Sequence, residues 1–183
     1  MTRIFISLAA IDVVGLFITY LLGTVSKLQD GVHQYEYGVY WLHFLFGLST
    51  ALLTLLVHCL IFTYFLGTGR WVKEVKLAYD LPDAPLAKLT RDLKRRVFPP
   101  ALFAMLFVIA TGAAGAAAQV GISHWFIHAS LGTLTLIVNF WAFTVEYQCL
   151  RTNGSVLANV LVEVDRIRAA RGLPSNVQAL RGG

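Results

Sequence analysis

Two histidines begin the same short pattern, in which a glycine follows the histidine four residues later. His43 precedes Gly47 and His128 precedes Gly132, each near the start of a long apolar segment. If both segments are helices that enter a membrane from the same side, the two imidazoles lie at matching depth. Opposed imidazoles with glycine one turn away are typical of axial ligands that hold a flat cofactor. The pattern therefore predicts a haem, with His43 and His128 as the ligands of its iron.

The composition indicates an integral membrane protein. Of the 183 residues, 57% are hydrophobic and 14% are charged, and the mean hydropathy is +0.66. This is too apolar for a soluble domain of this size. Since a helix needs roughly 20 apolar residues to cross the hydrocarbon, we predict spans at 4–24, 39–66, 98–120 and 123–150. Residues 1–150 are thus expected to form an all-α, four-helix transmembrane bundle of the up-down type.

The distribution of basic residues predicts the orientation of this bundle. All of the 15 lysines and arginines except Lys27 precede the first span, follow the second or follow the fourth. Because cytoplasmic segments carry the excess of positive charge, the N and C termini are predicted to be cytoplasmic. A multi-pass protein of the bacterial inner membrane is expected. Its net charge of +5 needs no nucleic-acid partner, since this bias and attraction to anionic lipid explain it.

The cytoplasmic loop is predicted to be amphipathic and helical on both sides of a break. The second helix continues through Val75 and ends near Pro82, and a basic amphipathic stretch then leads to Pro99 and Pro100. A proline is tolerated in the first turn of a helix, where its missing N–H costs little. The proline pair is therefore predicted to start the third span.

The tail, residues 151–183, is predicted to form a separate amphipathic helix. The turn-forming sequence Asn153-Gly154-Ser155 ends the fourth span, and apolar residues then recur at helical spacing. This helix is expected to lie on the membrane surface or against a partner. Its apolar residues are Val156, Leu157, Val160, Leu161, Val164 and Ile167.

The chain also shows a short internal repeat. Aligning His43 with His128 pairs Gly47 with Gly132, and it pairs Thr50 with Thr135. A parallel repeat would relate the two helix pairs by an axis along the membrane normal. In an up-down bundle, the second and fourth helices lie on a diagonal and run in the same direction, so the repeat agrees with the predicted histidine pair.

The third helix has few bulky side chains at the depth of the histidine pair. Residues 111–118 are threonine, glycine and alanine, so Gly112 and Gly115 are candidates for contact with the cofactor. Tight packing of helices in lipid is the alternative explanation for these small residues. Under either explanation, a neighbouring helix or the ring of the cofactor is expected to approach this face closely.

His124 is an alternative ligand for the iron. It lies one helical turn before His128, on the same face of the predicted fourth helix. Together with His43, and with His33 or Glu36, it also offers the ligands of a bare zinc, copper or iron ion at the outer surface. The sequence alone leaves these alternatives open.

Two ionisable residues lie deeper in the predicted bilayer. Such residues are costly in hydrocarbon, and each is expected to have a partner. Asp12 and His58 lie at similar depth on adjacent antiparallel spans, so we predict that they pair and bind quinone or transfer protons. His58 lies about 22 Å along the helix from His43, which also makes it a candidate ligand of a second haem, with Met105 opposite.

The arrangement resembles the small four-helix membrane cytochromes b, which include haem-bearing anchor subunits of respiratory enzymes. The resemblance covers about residues 1–150 and rests on paired histidines, neighbouring glycines and four spans. It implies that His43 and His128 are axial ligands of haem b. The sequence departs from the di-haem pattern, because Phe143 stands where the fourth histidine is expected.

We therefore predict a b-type cytochrome that passes electrons between an outer-surface redox partner and the quinone pool. It would contain one haem b, or two if His58 is a ligand, and would act as the electron-transfer subunit of a larger membrane oxidoreductase. A metal-ion-binding or proton-coupled membrane protein and a cofactor-free anchor or assembly subunit are the alternatives. The sequence leaves enzymatic turnover, partner subunits and homo-oligomerisation open.

Overall fold

The computed structural model describes residues 1–28, 38–81 and 86–176, and within these ranges all regular structure is helical. Four helices follow one another along the chain. Each is long and apolar enough to span a membrane, which confirms the predicted helical class with four candidate spans among the described residues. They are α1 (Thr2–Leu28), α2 (Gly38–Tyr79), α3 (Leu86–Gln119) and α4 (Trp125–Ala170).

The helices form a ring in which each packs against the next, and α4 packs against α1. Of the two diagonal pairs, α2 and α4 approach more closely across the centre. Large apolar side chains cover the outside, among them Leu52, Phe140 and Ile11, which are 61%, 63% and 59% exposed. A soluble monomer rarely exposes so much contiguous apolar surface. This surface is suited to contact with a lipid bilayer.

The fourth helix is continuous through residues 153–155, which join the predicted fourth span to the predicted amphipathic stretch. Asn153 is 1% exposed, and its amide Nδ2 donates a hydrogen bond of 3.1 Å to Thr68 Oγ1 on α2. The side chain that favours a turn in isolation is therefore used across the helix interface. As a result α4 extends as a helix of 46 residues from Trp125 to Ala170.

The amphipathic part of α4 packs on this chain's own α2. Val160 and Val164 are buried against Leu81, and the partly buried Trp71 and Val75 pack around them. Part of the apolar face that the sequence assigns to the membrane surface or a partner is thus covered by the extended end of α2, while Leu161 on that face is 41% exposed. The two helices continue together beyond the apolar part of the bundle.

The proline pair lies inside α3 rather than at its start. The basic stretch and the third span form one helix from Leu86 to Gln119, with Pro99 and Pro100 in its interior. A proline there removes one helical hydrogen bond and crowds the carbonyl four residues earlier. The neighbouring residues Val97 and Ala101 are fully buried, and this packing stabilises the helix on both sides of the pair.

Replacing Val160 with aspartate tests the packing of the two extensions. Val160 is 1% exposed, whereas Val162, two residues later on the same helix, is 70% exposed. An unpaired carboxylate at Val160 is expected to destabilise the extension by roughly 3 kcal/mol. Hydrogen exchange in residues 156–170 would increase in Val160→Asp and stay unchanged in Val162→Asp. Equal exchange in the two variants would contradict this packing.

Candidate functional site

The structure brings together the two histidines that the sequence singles out. His43 on α2 and His128 on α4 face each other across the closer diagonal, with ring centres 6.0 Å apart and planes inclined at 74°. Both side chains are half-buried. The predicted equal depth of the two imidazoles is therefore matched by a direct contact between their rings.

Each imidazole is anchored to the main chain of the flanking helix. His43 Nδ1 donates to the carbonyl oxygen of Thr19 on α1 at 3.0 Å, and His128 Nδ1 donates to that of Thr111 on α3 at 2.9 Å. Since a carbonyl oxygen only accepts, the proton lies on Nδ1 and the lone pair of the neutral ring lies on Nε2. Metal-binding imidazoles adopt this arrangement, with one nitrogen on the metal and the other on a carbonyl or carboxylate.

Two glycines allow α1 and α3 to approach the rings. A Cβ atom at Gly23 would stand 2.8 Å from His43 Cε1, and one at Gly115 would stand 2.9 Å from His128 Cε1. Both distances are too short for real side-chain contacts. The sequence predicts that Gly115 contacts the cofactor; in the structure it lies against the His128 ring instead.

Thr19, Gly23 and the role of Thr111 were not found from the sequence. A signal was present, because Thr19 precedes Gly23 by four residues on α1 and Thr111 precedes Gly115 by four residues on α3. In both helices the threonine carbonyl accepts the imidazole N–H and the glycine leaves room for the ring. Aligning the first and third helices would have revealed this second half of the repeat.

The hydroxyl contacts below the rings also recur in the two halves. Thr19 Oγ1 lies 3.4 Å from Thr50 Oγ1 between α1 and α2, and Thr111 Oγ1 lies 2.7 Å from Thr135 Oγ1 between α3 and α4. Equivalent residues thus make equivalent contacts in the two helix pairs. This is the arrangement that the predicted parallel repeat requires.

The glycines that follow the histidines serve the packing of α1. A Cβ atom at Gly47 would stand 3.2 Å from Thr19 Cγ2, and one at Gly132 would stand 3.7 Å from the ring of Tyr20. Neither glycine has a histidine ring within 4 Å of that position. Gly47 and Gly132 therefore bring α1 close to α2 and α4 beside the histidine pair.

Two other predicted residues lie away from the pair. Gly112 is exposed and has no neighbour within 4 Å of a Cβ position. His124 is the residue before the first turn of α4, and its ring stacks on Phe126 with centres 5.3 Å apart. His33 and Glu36 lie outside the described residues. Among the described residues, no three histidine, cysteine, aspartate or glutamate side chains are grouped as metal ligands.

A second polar cluster is fully buried nearer the other end of the bundle. His58 Nδ1 lies 2.6 Å from Glu146 Oε1, and His58 Nε2 lies 3.0 Å from Asn139 Oδ1. All three side chains are 0% exposed. Asn139 Nδ2 donates to the carbonyl of Thr135 at 2.8 Å, which fixes Oδ1 as the atom that faces His58. His58 Nε2 therefore donates, and one proton lies between Nδ1 and the carboxyl group.

Asp12 and His58, which are predicted to pair, interact electrostatically but share no hydrogen bond. The hydroxyl of Thr54 lies 2.8 and 3.0 Å from the two carboxyl oxygens of Asp12, while His58 is bonded to residues of α4. Thr54 lies one turn above His58 on α2 and supplies the nearer donor. Asp12 is also 0% exposed, so it belongs to the same buried layer without contacting the imidazole.

These contacts leave His58 without a free nitrogen for a second haem. Phe143, at the position where a fourth histidine is expected, stacks on the His58 ring with centres 5.0 Å apart and an angle of 11°. By contrast, Glu146 Oε2 is buried with no hydrogen-bond partner among the described residues. The cluster can hold a proton and offers one free carboxyl oxygen.

The separation of the His43 and His128 rings is one at which both imidazoles could hold a single metal ion. A metal lies about 2.0 to 2.1 Å from an imidazole nitrogen, and the ring centre lies about 1 Å further on. Two opposed imidazoles on one ion thus have ring centres roughly 6 Å apart, against 6.0 Å here. The donor set, two neutral imidazoles and no carboxylate, also suits haem iron.

No family model, curated protein or solved structure matches this chain. The function is therefore inferred from its own residues. Two groups carry chemistry: the histidine pair, with Nε2 available on each ring, and the buried cluster around His58 and Glu146.

Replacing Gly115 with alanine tests the contact between α3 and His128. The new methyl group would meet the imidazole, whereas the same change at Gly112, three residues earlier, enters open space. Both substitutions gain the same helix propensity, so the difference in stability between the two variants measures the cost of the collision with the imidazole. We expect Gly115→Ala to be less stable than Gly112→Ala by about 1 to 3 kcal/mol. Thermal unfolding in detergent would measure it. Equal stability of the two variants would contradict the contact.

Proposed function

We propose that this chain is a membrane-bound b-type cytochrome in which His43 and His128 bind the iron of one haem b. One observation carries the proposal: the two imidazoles lie 6.0 Å apart, each held by its Nδ1 on a main-chain carbonyl. This leaves Nε2 of both rings without a hydrogen-bond partner among the described residues. A pair of surface histidines satisfied by water would not need such anchoring.

The protein's own residues prepare the ligands. Haem with two imidazole ligands supplies reversible one-electron transfer. The carbonyl groups of Thr19 and Thr111 fix the ring orientations and increase the basicity of Nε2, while Gly23 and Gly115 let α1 and α3 close over the rings. Because the ligands are held rigidly before binding, little ordering is needed when the iron arrives.

We place the bundle in a bacterial inner membrane with both termini in the cytoplasm. His43 and His128 then lie near the outer ends of α2 and α4, within reach of an outer-surface redox partner. His58 lies about 22 Å closer to the cytoplasm along α2. Electrons are proposed to pass between that partner and the quinone pool.

The buried cluster is proposed to exchange protons with quinone. His58 and Glu146 share one proton, so the pair is neutral overall whether the proton lies on the imidazole or on the carboxyl group. Neutrality lowers the cost of burying ionisable groups in hydrocarbon. Glu146 Oε2, which has no partner among the described residues, is the atom that would accept the hydroxyl proton of a quinol, and Asp12 adds a second carboxyl group to the same layer.

An optical spectrum of the detergent-purified chain tests the proposal. We expect a reduced low-spin b-type spectrum after dithionite and one haem per chain in a pyridine haemochrome assay. A colourless protein would overturn the cytochrome assignment. Metal bound at one ion per chain without porphyrin would then support a metal-ion-binding protein. Other chains that copurify with a protein containing neither metal nor porphyrin would support an anchor subunit. Two haems per chain would contradict the assignment of His58.

A further inference from the structure

A cavity of about 660 Å³ lies between α2 and α3, on the side of the bundle away from the histidine pair. Its floor is apolar and includes Val72 and Phe98, while its rim carries Lys73, Arg91 and Lys94. Phe98 also begins the apolar part of α3. The cavity therefore opens at the level where the bundle leaves the hydrocarbon, with cations above an apolar floor.

The ammonium group of Lys94 is directed into this cavity. It lies directly over Gly69 of α2, where a Cβ atom would collide with Lys94 Nζ. The glycine thus leaves room for the charged end of the side chain between the two helices. Lys94 is half-buried there, although a lysine on this surface could extend into water.

Five basic residues line the cavity, and the three on its rim named above have no ion pair within the described part of the chain. No carboxyl group among those residues forms an ion pair with Lys73, Arg91 or Lys94. Elsewhere on the same surface, Arg70 pairs with Glu74 at 2.8 Å. Uncompensated charges of one sign in a concave site raise the local concentration of counter-ions. The rim is therefore a site for an anion.

We propose that this cavity binds the phosphate group of an anionic phospholipid from the cytoplasmic leaflet. Lys73, Arg91 and Lys94 contact the phosphate, and an acyl chain leaves along Phe98 into the bilayer. The combination of a basic rim and an apolar floor favours an amphiphile over a free anion. The inference requires that the chain is inserted in a membrane, but it is independent of the haem.

Native mass spectrometry of the detergent-solubilised full chain tests the proposal. Phosphatidylglycerol and phosphatidylcholine with the same acyl chains are titrated into three proteins: the unmodified chain, K73Q/R91Q/K94Q, and R3Q/K88Q/R171Q. The last variant loses the same charge at exposed positions outside the cavity. We expect tighter binding of phosphatidylglycerol to the unmodified chain, a roughly hundredfold loss in the cavity variant and little change in the control.

Three results would overturn the proposal: no preference for phosphatidylglycerol, an equal loss in both variants, or displacement of the lipid by an equal concentration of inorganic phosphate. The last result would assign the cavity to a free anion. If K73Q/R91Q/K94Q does not fold, the single variant K94Q provides the test. It is expected to weaken phosphatidylglycerol binding by about threefold to fivefold, with phosphatidylcholine binding unchanged.

Discussion

Alanine at either His43 or His128 is expected to lower the haem content of the purified protein at least tenfold, or to convert residual haem to a high-spin form. Each substitution removes one of the two imidazole nitrogens that we propose bind the iron. Loss of an outer partner of a metal ligand alone costs about 10- to 100-fold in affinity, so loss of the ligand itself should cost no less. The pyridine haemochrome assay and the reduced spectrum measure both effects.

His124→Ala is the matched control for these variants. His124 immediately precedes the helix that carries His128, but it is exposed and stacks on Phe126, so this variant should keep its full haem content and low-spin spectrum. An unchanged spectrum in both His43→Ala and His128→Ala would refute the assignment. If only His124→Ala loses haem, the proposed ligand is His124, at the start of α4, rather than His128.

Leucine at Glu146 is expected to lower the free energy of unfolding by about 3 to 5 kcal/mol. The substitution leaves His58 Nδ1 fully buried without its partner, and removing one member of a buried pair costs more than removing both. The double variant His58→Leu/Glu146→Leu should therefore recover much of the loss. Denaturant unfolding in detergent, followed by tryptophan fluorescence, measures these differences.

Glu163→Leu provides the control for Glu146→Leu. Glu163 forms an ion pair with Arg166 that is largely open to water, and its loss should change stability by less than about 1 kcal/mol. Haem content should be unchanged in Glu146→Leu, because the cluster and the histidine pair are separate sites. If Glu146→Leu and Glu163→Leu lower the free energy of unfolding equally, the buried pair does not stabilise the fold more than an exposed ion pair does.

The sequence was sufficient for the helices and for the histidine pair, because both depend on patterns within single helices. Hydropathy identifies four long apolar segments, and the spacing of His43 and His128 from their glycines sets a common depth. The partners of His58 depend on how helices face each other. Asn139 and Glu146 are seven residues apart on α4, which places them on one face with His58 between them in depth. That heptad spacing is a signal that the prediction overlooked.

Local turn signals failed where tertiary packing outweighed them. Asn153-Gly154-Ser155 and the Pro99-Pro100 pair both favour helix ends in isolation. Buried contacts on either side, such as the bond from Asn153 to Thr68, hold both segments in the helix. Propensity is a weak prior against such packing.

The continuity of α4 has a mechanical consequence. A helix of 46 residues is about 69 Å long at 1.5 Å per residue, more than twice the thickness of the hydrocarbon. His128 and Val160 therefore belong to one continuous helix, and α2 packs against its far end. We therefore expect a displacement of that end to move the helical turn that carries His128 as well, because no loop separates the two parts of the helix.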